Sequence, residues 1–589
     1  MERLIDRLSQ TAGKIIDVSF ALLSTSTYGA IILAALIFLV LFRTAFVTIL
    51  LVAIPIGILI GSILRKAGYG ADITARLSAA LVLAVWIQIE WFGIGNTPYW
   101  WLDAMLSVIY MIALFFSMTR FKPTRLIVFV VALFAAIGHP LYRMCGYLIT
   151  IPNAETLLGT NIEECLGLLL SLPRIDQLVG ILVLTGVTIL IFSTTPPPRQ
   201  SARQTTMLLS VFSLLATLPV FLNSNSLMPV GHYLFTAKCS QLRTLKSDWI
   251  ADGRIEGRGT ARNYIIVMSE SLRPDALGVY GNPFDTSPFL ASVPHKLIEH
   301  AVAPAGATMY AIPRELALTK DGDDTKVEAH NNVVAFAKSV GLDTYWLSSH
   351  TRVTDLSRPL SIIAESADSK FYAKNHDDFA LTEEFERILN KDNRGARRFF
   401  VINTYGAHEP VCERVEGFGK PFATGLSGKD WRVPFLSSND FFDCYMSAAL
   451  KADQVVEKLV RALEKRSETY SLILTSDHGA AFFFKDKELK CCRFPQFKAL
   501  FDVPFIEIGT DIRETMRADV LRSTTHLARY VPTWLGYTSN KTPHGYDIFS
   551  LISDTPMVTG FENKVRRYSE ELDSVSFKDL LANGREKNY

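Results

Sequence analysis

"SLILTSDHG", residues 471–479, is an apolar run that ends in an aspartate, a histidine and a glycine. Four to eight apolar residues bounded by turn chemistry read as a buried strand, and a strand covered on both faces belongs to a parallel sheet. The glycine suggests a sharp turn directly after Asp477 and His478. The same grammar recurs from residue 263 onward. "NYIIVM" (263–268), "DTYWLSS" (343–349), "RFFVINTY" (398–405) and "VPFIEIG" (503–509) read as further strands. Between them lie helical patterns at "NNVVAFAKSVG" and "FALTEEFERILN", and one long helix at about 441–466. A helix is also expected to start in "RPDALGVYG". Strands alternating with amphipathic helices indicate an α/β domain with a mainly parallel sheet covered by helices on both faces.

Ligands of such sheets bind beyond the carboxyl ends of the strands. Glu270 follows the first strand, His408 follows "RFFVINTY", and Asp477 and His478 follow the opening run. Carboxylate oxygens and imidazole nitrogens suit zinc, and Glu, Asp and His leave a coordination position open. Each residue alone has a plainer role: a glutamate near a helix start, a histidine capping a turn, an Asp-His-Gly turn. Their meeting at successive strand ends favours a site. "APAGATMYAIPRE" (303–315) adds Thr308 in a loop of small residues, five positions before Pro313. A hydroxyl is a weak nucleophile that metal coordination activates; alone it reads as a turn hydroxyl.

The chain has 589 residues, too many for a single core, and its apolar residues are unevenly spread. Mean hydropathy is +0.21. Apolar runs fall at about 28–42, 44–64, 76–95, 100–119, 123–141, 177–194 and 206–223. Most have the roughly 17–25 residues that a membrane span requires. Arg3, Arg7, Lys14, Arg65, Lys66, Arg76, Arg120, Lys122, Arg125, Arg199 and Arg203 all fall on one side if seven helices start inside. Residues 1–223 are thus expected to form an α-helical transmembrane domain, with an external amphipathic loop at 142–176. Residues 224–262 read as a linker and 263–589 as the external catalytic domain. No cleavable leader is read at the N-terminus. A net charge of +2 without a basic, aromatic-interleaved stripe excludes a nucleic-acid partner from the reading.

"VMSESLRPDALGVYG", "GATMYAIP", "YGAHEPVCERVEG" and "TSDHGAAF" together resemble the membrane-anchored phosphoethanolamine transferases of the alkaline phosphatase/sulfatase superfamily. The nearest likeness is the branch that modifies periplasmic glucans. The resemblance implies zinc (Zn2+) held by Glu270, Thr308, Asp477 and His478, with Thr308 the residue that is phosphorylated. It implies a phosphatidylethanolamine donor, a glycan or lipopolysaccharide acceptor, and a bacterial inner-membrane protein whose catalytic domain lies in the periplasm. "LLGTNIEECLGLL" resembles the family stretch that faces the head group, through Thr160 and Glu164. A carboxylate there would pair with the ethanolamine ammonium. His408 is implied as a contact to substrate. The family's second histidine after Asp-His-Gly is absent from "ELKCCRFPQF", where Lys490 and Arg493 stand.

Of the seven cysteines, at 145, 165, 239, 412, 444, 491 and 492, Cys412 and Cys444 resemble a disulfide pair of the family. A phosphoglycerol transferase or phosphodiesterase would use the same nucleophile and metal, and Glu164 argues against glycerol. A non-catalytic membrane scaffold with a degenerate domain is the remaining class. Against it, all four expected ligand positions are filled, and Glu90 and Asp103 lie near the ends of their spans.

Overall fold

The computed structural model describes residues 246–320, 323–350, 358–391, 395–408, 411–424, 440–480, 482–485, 488–491, 497–560, 565–573 and 576–579. The expected membrane spans and the external loop at 142–176 lie outside these residues. Among the described residues no helix is long and apolar enough to cross a membrane.

The strands that matter here are β1 (Ala251–Arg254), β2 (Asn263–Ser269), β3 (His295–Val302), β4 (Asp343–Ser348), β5 (Ser369–Tyr372) and β6 (Arg398–Asn403). They continue with β7 (Tyr470–Ser476), β8 (Asp502–Val503), β9 (Phe505–Gly509), β10 (Met516–Ser523) and β11 (Tyr537–Ser539). Nine of them form one sheet in the order β8-β3-β9-β7-β2-β6-β4-β5, with β10 on β3. β2 is paired parallel to both β6 and β7, and β4 is parallel to β5 and β6. β9 runs antiparallel to β7 and β3, so the sheet is mixed, where the sequence suggests one mainly parallel series. The reversal follows from connectivity: β7 and β9 are neighbours with no helical crossover among the described residues between them, and a parallel neighbour needs one.

Helices cover both faces, as expected. α1 (Pro288–Ser292), α2 (Thr308–Leu316), α3 (Val333–Ser339), α4 (Arg358–Glu365), α5 (Asp378–Lys391), α6 (Phe441–Glu464) and α7 (His526–Leu535) supply them. Successive residues of β2 point to opposite faces. Ile265 and Val267 join a core with Phe385 of α5 and Val456 of α6. Tyr264, Ile266 and Met268 join a second core with Ile312 of α2, Phe336 of α3 and Leu527 of α7. Every residue of β2, β6 and β7 is buried, which is why these strands read as continuous apolar runs.

Two local readings change. "RPDALGVYG" forms two 3-10 turns, Pro274–Ala276 and Gly278–Tyr280, in place of a helix. The Leu277 backbone between them is extended, and Gly281 closes the second turn at φ 94°. Thr308 is the first residue of α2 where a loop was expected. Ahead of residue 263, Trp249 is buried and donates from Nε1 to Ser539 Oγ at 3.0 Å, while β1 pairs with β11. Cys412 and Cys444 are joined by a disulfide that fastens the segment after His408 to α6.

Candidate metal centre

Strand register builds the centre. Ser269 at the end of β2 is level with Ser476 at the end of β7, so Glu270 and Asp477 are the next residues of two adjacent parallel strands. Asp477 N donates to Ser269 O at 3.1 Å, which continues the ladder past the strand ends. The chain leaves β2 through Ser271, at φ 57°, a left-handed conformation uncommon outside glycine. There Ser271 N donates to Asp477 Oδ1 at 3.1 Å, and Ser271 Oγ donates to Glu270 Oε1 at 2.8 Å. Strained backbone of this kind persists where surrounding bonds over-determine it, and it clusters at functional sites.

Glu270, Asp477 and His478 are all buried, and each offers a ligand atom within 4.8 Å of the others. His478 Nδ1 lies 2.8 Å from Gly479 O. A carbonyl only accepts, so Nδ1 carries the hydrogen and Nε2 presents its lone pair. That lone pair lies 3.3 Å from Glu270 Oε1 and 3.6 Å from Asp477 Oδ2. Asp477 Oδ2 makes no hydrogen bond among the described residues. A lone pair and carboxylate oxygens converging in a buried space repel one another unless a cation or proton sits between them. A histidine fastened through its other nitrogen to a backbone carbonyl is the arrangement that metal-ligating imidazoles adopt. The donor set therefore fits a divalent cation such as zinc.

Thr308 joins from the sheet's neighbouring crossover. Its Oγ1 donates to Glu270 Oε2 at 2.8 Å. Burial opposes ionisation of Glu270; a proton standing in the place of a cation on His478, with charge at His408 and His350 behind it, outweighs burial and holds the carboxyl well below the usual range. Burial, then the Glu270 carboxylate, push Asp477 up to about 7.

Two glycines are required by space. A Cβ on Gly479 would stand 2.1 Å from Ala499 O and 2.6 Å from Asp502 O. The residue after Asp-His is thus glycine because backbone passes against it, and the sharp turn suggested by the sequence is not what fixes it. Gly406, at φ 48°, would place a Cβ 2.8 Å from Glu270 O. It lets the β6 turn press on Glu270, whose carbonyl accepts from Ala407 N at 3.0 Å.

His408 sits half-buried two residues on, its ring 4.7 Å from that of Tyr405. His350 is a site neighbour with no place in the sequence reading. Its Nε2 lies 3.0 Å from Thr404 O and 3.8 Å from Glu270 Oε2. The rule that located Glu270 would have found it, because His350 follows β4 as Glu270 follows β2. Glu315 of α2 is also buried, and burial raises its carboxyl well above the usual range. Thr160, Glu164 and Arg493 lie outside the described residues, and Lys490 is described only as backbone of a hairpin strand, Glu488–Cys491.

The sequence profile of the sulfatase family matches residues 262–539. That stretch is a sulfatase-family domain. Its bounds take in Glu270, Thr308, His408, Asp477 and His478. The chain is 30% identical over 253 residues to a Haemophilus influenzae protein named putative phosphoethanolamine transferase, covering 40% of this chain and 50% of that one. It thus spans half the length of that relative. It is 24% identical over 475 residues to the Escherichia coli phosphoethanolamine transferase OpgE, covering 74% of this chain and 85% of that one. Among solved structures, the integral membrane protein lipooligosaccharide phosphoethanolamine transferase A of Neisseria meningitidis superposes with a TM-score of 0.59. At 13% identity, over 80% of this chain and 97% of that one, the sulfatase-family domain and that structure share a fold.

Proposed function

We propose that this chain transfers phosphoethanolamine from phosphatidylethanolamine to a hydroxyl of a cell-envelope glycan or lipid, through a phosphorylated Thr308. The observation that carries the reading is the Thr308 hydroxyl bonded to Glu270 Oε2 at 2.8 Å, against the buried Asp477–His478 pair. Relatives named phosphoethanolamine transferases support the substrate class. Zinc held by Glu270, Thr308, Asp477 and His478 supplies a Lewis acid that lowers the hydroxyl pKa and stabilises charge on phosphoryl oxygens.

The chain's own residues account for the rest. Glu270 Oε2 aims the Thr308 hydroxyl by accepting its hydrogen. Thr308 Oγ1 forms a bond to phosphorus, the bond from phosphorus to the glycerol oxygen breaks, and diacylglycerol leaves with the proton. An acceptor hydroxyl then attacks the same phosphorus and restores the threonine. Thr308 opens the nine-residue α2, so the helix dipole favours the negative charge that a phosphorylated side chain brings there. His350, 3.8 Å from the Glu270 oxygen that accepts the Thr308 hydroxyl, and His408 contact the phosphoryl group or position that carboxylate. Thr160 and Glu164 face the head group, and the Glu164 carboxylate pairs with its ammonium. Residues 1–223 hold the chain in the inner membrane and keep the catalytic domain in the periplasm, at the level of the donor's head group.

Intact-mass and peptide analysis of the full chain, turning over lipid donor without acceptor, tests this. A phosphoethanolamine adduct on Thr308 is expected, lost in Thr308→Ala. A glycerophosphate adduct would instead assign a phosphoglycerol transferase. Transfer by Thr308→Ala with no adduct in the native chain would remove the nucleophile.

A further inference from the structure

Leu551 and Ile552 are adjacent and 80% and 78% exposed, the highest values of any large apolar side chain among the described residues. Single exposed aliphatics are ordinary, whereas a fixed pair in one projecting loop calls for an account. The loop is held rigidly. Arg522, itself buried, donates from Nη2 to Ser550 O at 2.7 Å and to Ile552 O at 2.8 Å, and from Nη1 to Asp554 Oδ1 at 2.7 Å. Asp554 in turn accepts from Ser523 N at 3.0 Å, and its own N donates to Leu521 O at 2.8 Å. A buried guanidinium and a carboxylate are thus spent on presenting two aliphatic side chains to the outside.

The topology tells where that outside lies. β10 is parallel to β3, and β3 is antiparallel to β9, which is antiparallel to β7. The carboxyl ends of β10, β3, β7 and β2 therefore share one edge. Leu521, Arg522 and Ser523 are the last residues of β10, so the loop they hold rises from the edge that carries Glu270, Asp477 and His478.

We propose that Leu551 and Ile552 form a wedge that enters the lipid bilayer surface beside the metal centre. It rests on the reading of the donor as a lipid, because the edge that must meet a lipid head group is the edge that carries the wedge. Aliphatic side chains inserted at the head-group boundary add binding in proportion to the apolar area they bury. The pair would seat the site at the depth where the scissile phosphorus lies.

The test uses the full chain reconstituted in phosphatidylethanolamine/phosphatidylcholine vesicles, with Ile552→Trp as the probe and phosphatidylcholine brominated on its acyl chains as quencher. Blue-shifted emission from the introduced tryptophan that brominated lipid quenches is the expected result, read against the same chain lacking the substitution. In parallel, Leu551→Ser with Ile552→Ser should raise the apparent KM for vesicle-borne donor by about tenfold per side chain removed. The same double variant should leave turnover of a soluble phosphodiester unchanged. Solvent-like, unquenched emission overturns the proposal, as does blue-shifted emission that brominated lipid leaves unquenched, which assigns the pair to protein: residues 1–245 or a second copy. Quenching does not depend on turnover. A quenched probe in a chain that transfers no phosphoethanolamine would keep the wedge and reject the proposed reaction.

Discussion

Thr308 Oγ1 donates to Glu270 Oε2 at 2.8 Å, although 38 residues separate them. The other oxygen of the same carboxylate lies 3.3 Å from His478 Nε2. One glutamate therefore connects the candidate nucleophile to the candidate ligands. Its position is set by Ser271 in a left-handed conformation and by Gly406 pressed against its backbone.

Purified full-length protein should hold about one zinc, and Asp477→Ala or His478→Ala should lose it, since each removes a ligand from a buried three-residue set. Elemental analysis of protein washed with a weak chelator reads this directly. Equal zinc in all three proteins would remove the assignment.

Gly479→Ala should be more harmful than an alanine is elsewhere, because the new methyl meets Ala499 O and Asp502 O, which are backbone atoms. Relieving such overpacking costs about 1–3 kcal/mol. The shift falls on the residue next to His478, so zinc content should drop along with the melting temperature. An alanine variant with native zinc content and native melting would show that the Asp502 segment yields freely.

What the sequence discloses and what it hides divide along burial. β2, β6 and β7 are buried throughout, so their apolar runs are plain, and the residues that follow them can be asked for by position. β3 and β10 escape because each has positions open to solvent that admit charge: "HKLIEHAV" and "MRADVLRS" read as neither apolar run nor clean alternation. The direction of β9 is hidden because a strand sequence carries no sign of its polarity. His350 was within reach, since it stands one residue past the end of the expected strand at 343–349. The reason for Gly479 was not, because Ala499 and Asp502 approach it only in three dimensions.

Cys412 and Cys444 close a loop across 32 positions. Cross-linking a loop of that size stabilises a domain by about 3–4 kcal/mol, chiefly by restricting the unfolded chain. Peptide mapping without reductant should recover the two cysteines as one linked pair. Cys412→Ser with Cys444→Ser should lower the melting temperature in oxidising buffer, and reductant should then have little further effect. Free thiols at both positions in the native protein would reject the pairing.

Asp453 of α6 is buried and accepts from Phe289 N and Leu290 N, each at 3.0 Å, where α1 begins. Burial raises its carboxyl to about 6 from an ordinary 3.8, and the two backbone donors offset only part of that. The folded chain therefore holds this proton more tightly than the unfolded chain. The resulting stabilisation is complete below the unfolded value and is lost as pH rises through the folded one. Between about pH 4 and pH 7 the group should remove up to about 3 kcal/mol of stability. Asp453→Asn has no proton to lose, and its missing second acceptor costs the same at every pH. The melting temperature of the variant relative to the native chain should thus rise from pH 4.5 to pH 7.5. A difference that stays constant across that range would mean that Asp453 is ionised throughout, with the start of α1 meeting the whole cost of its burial.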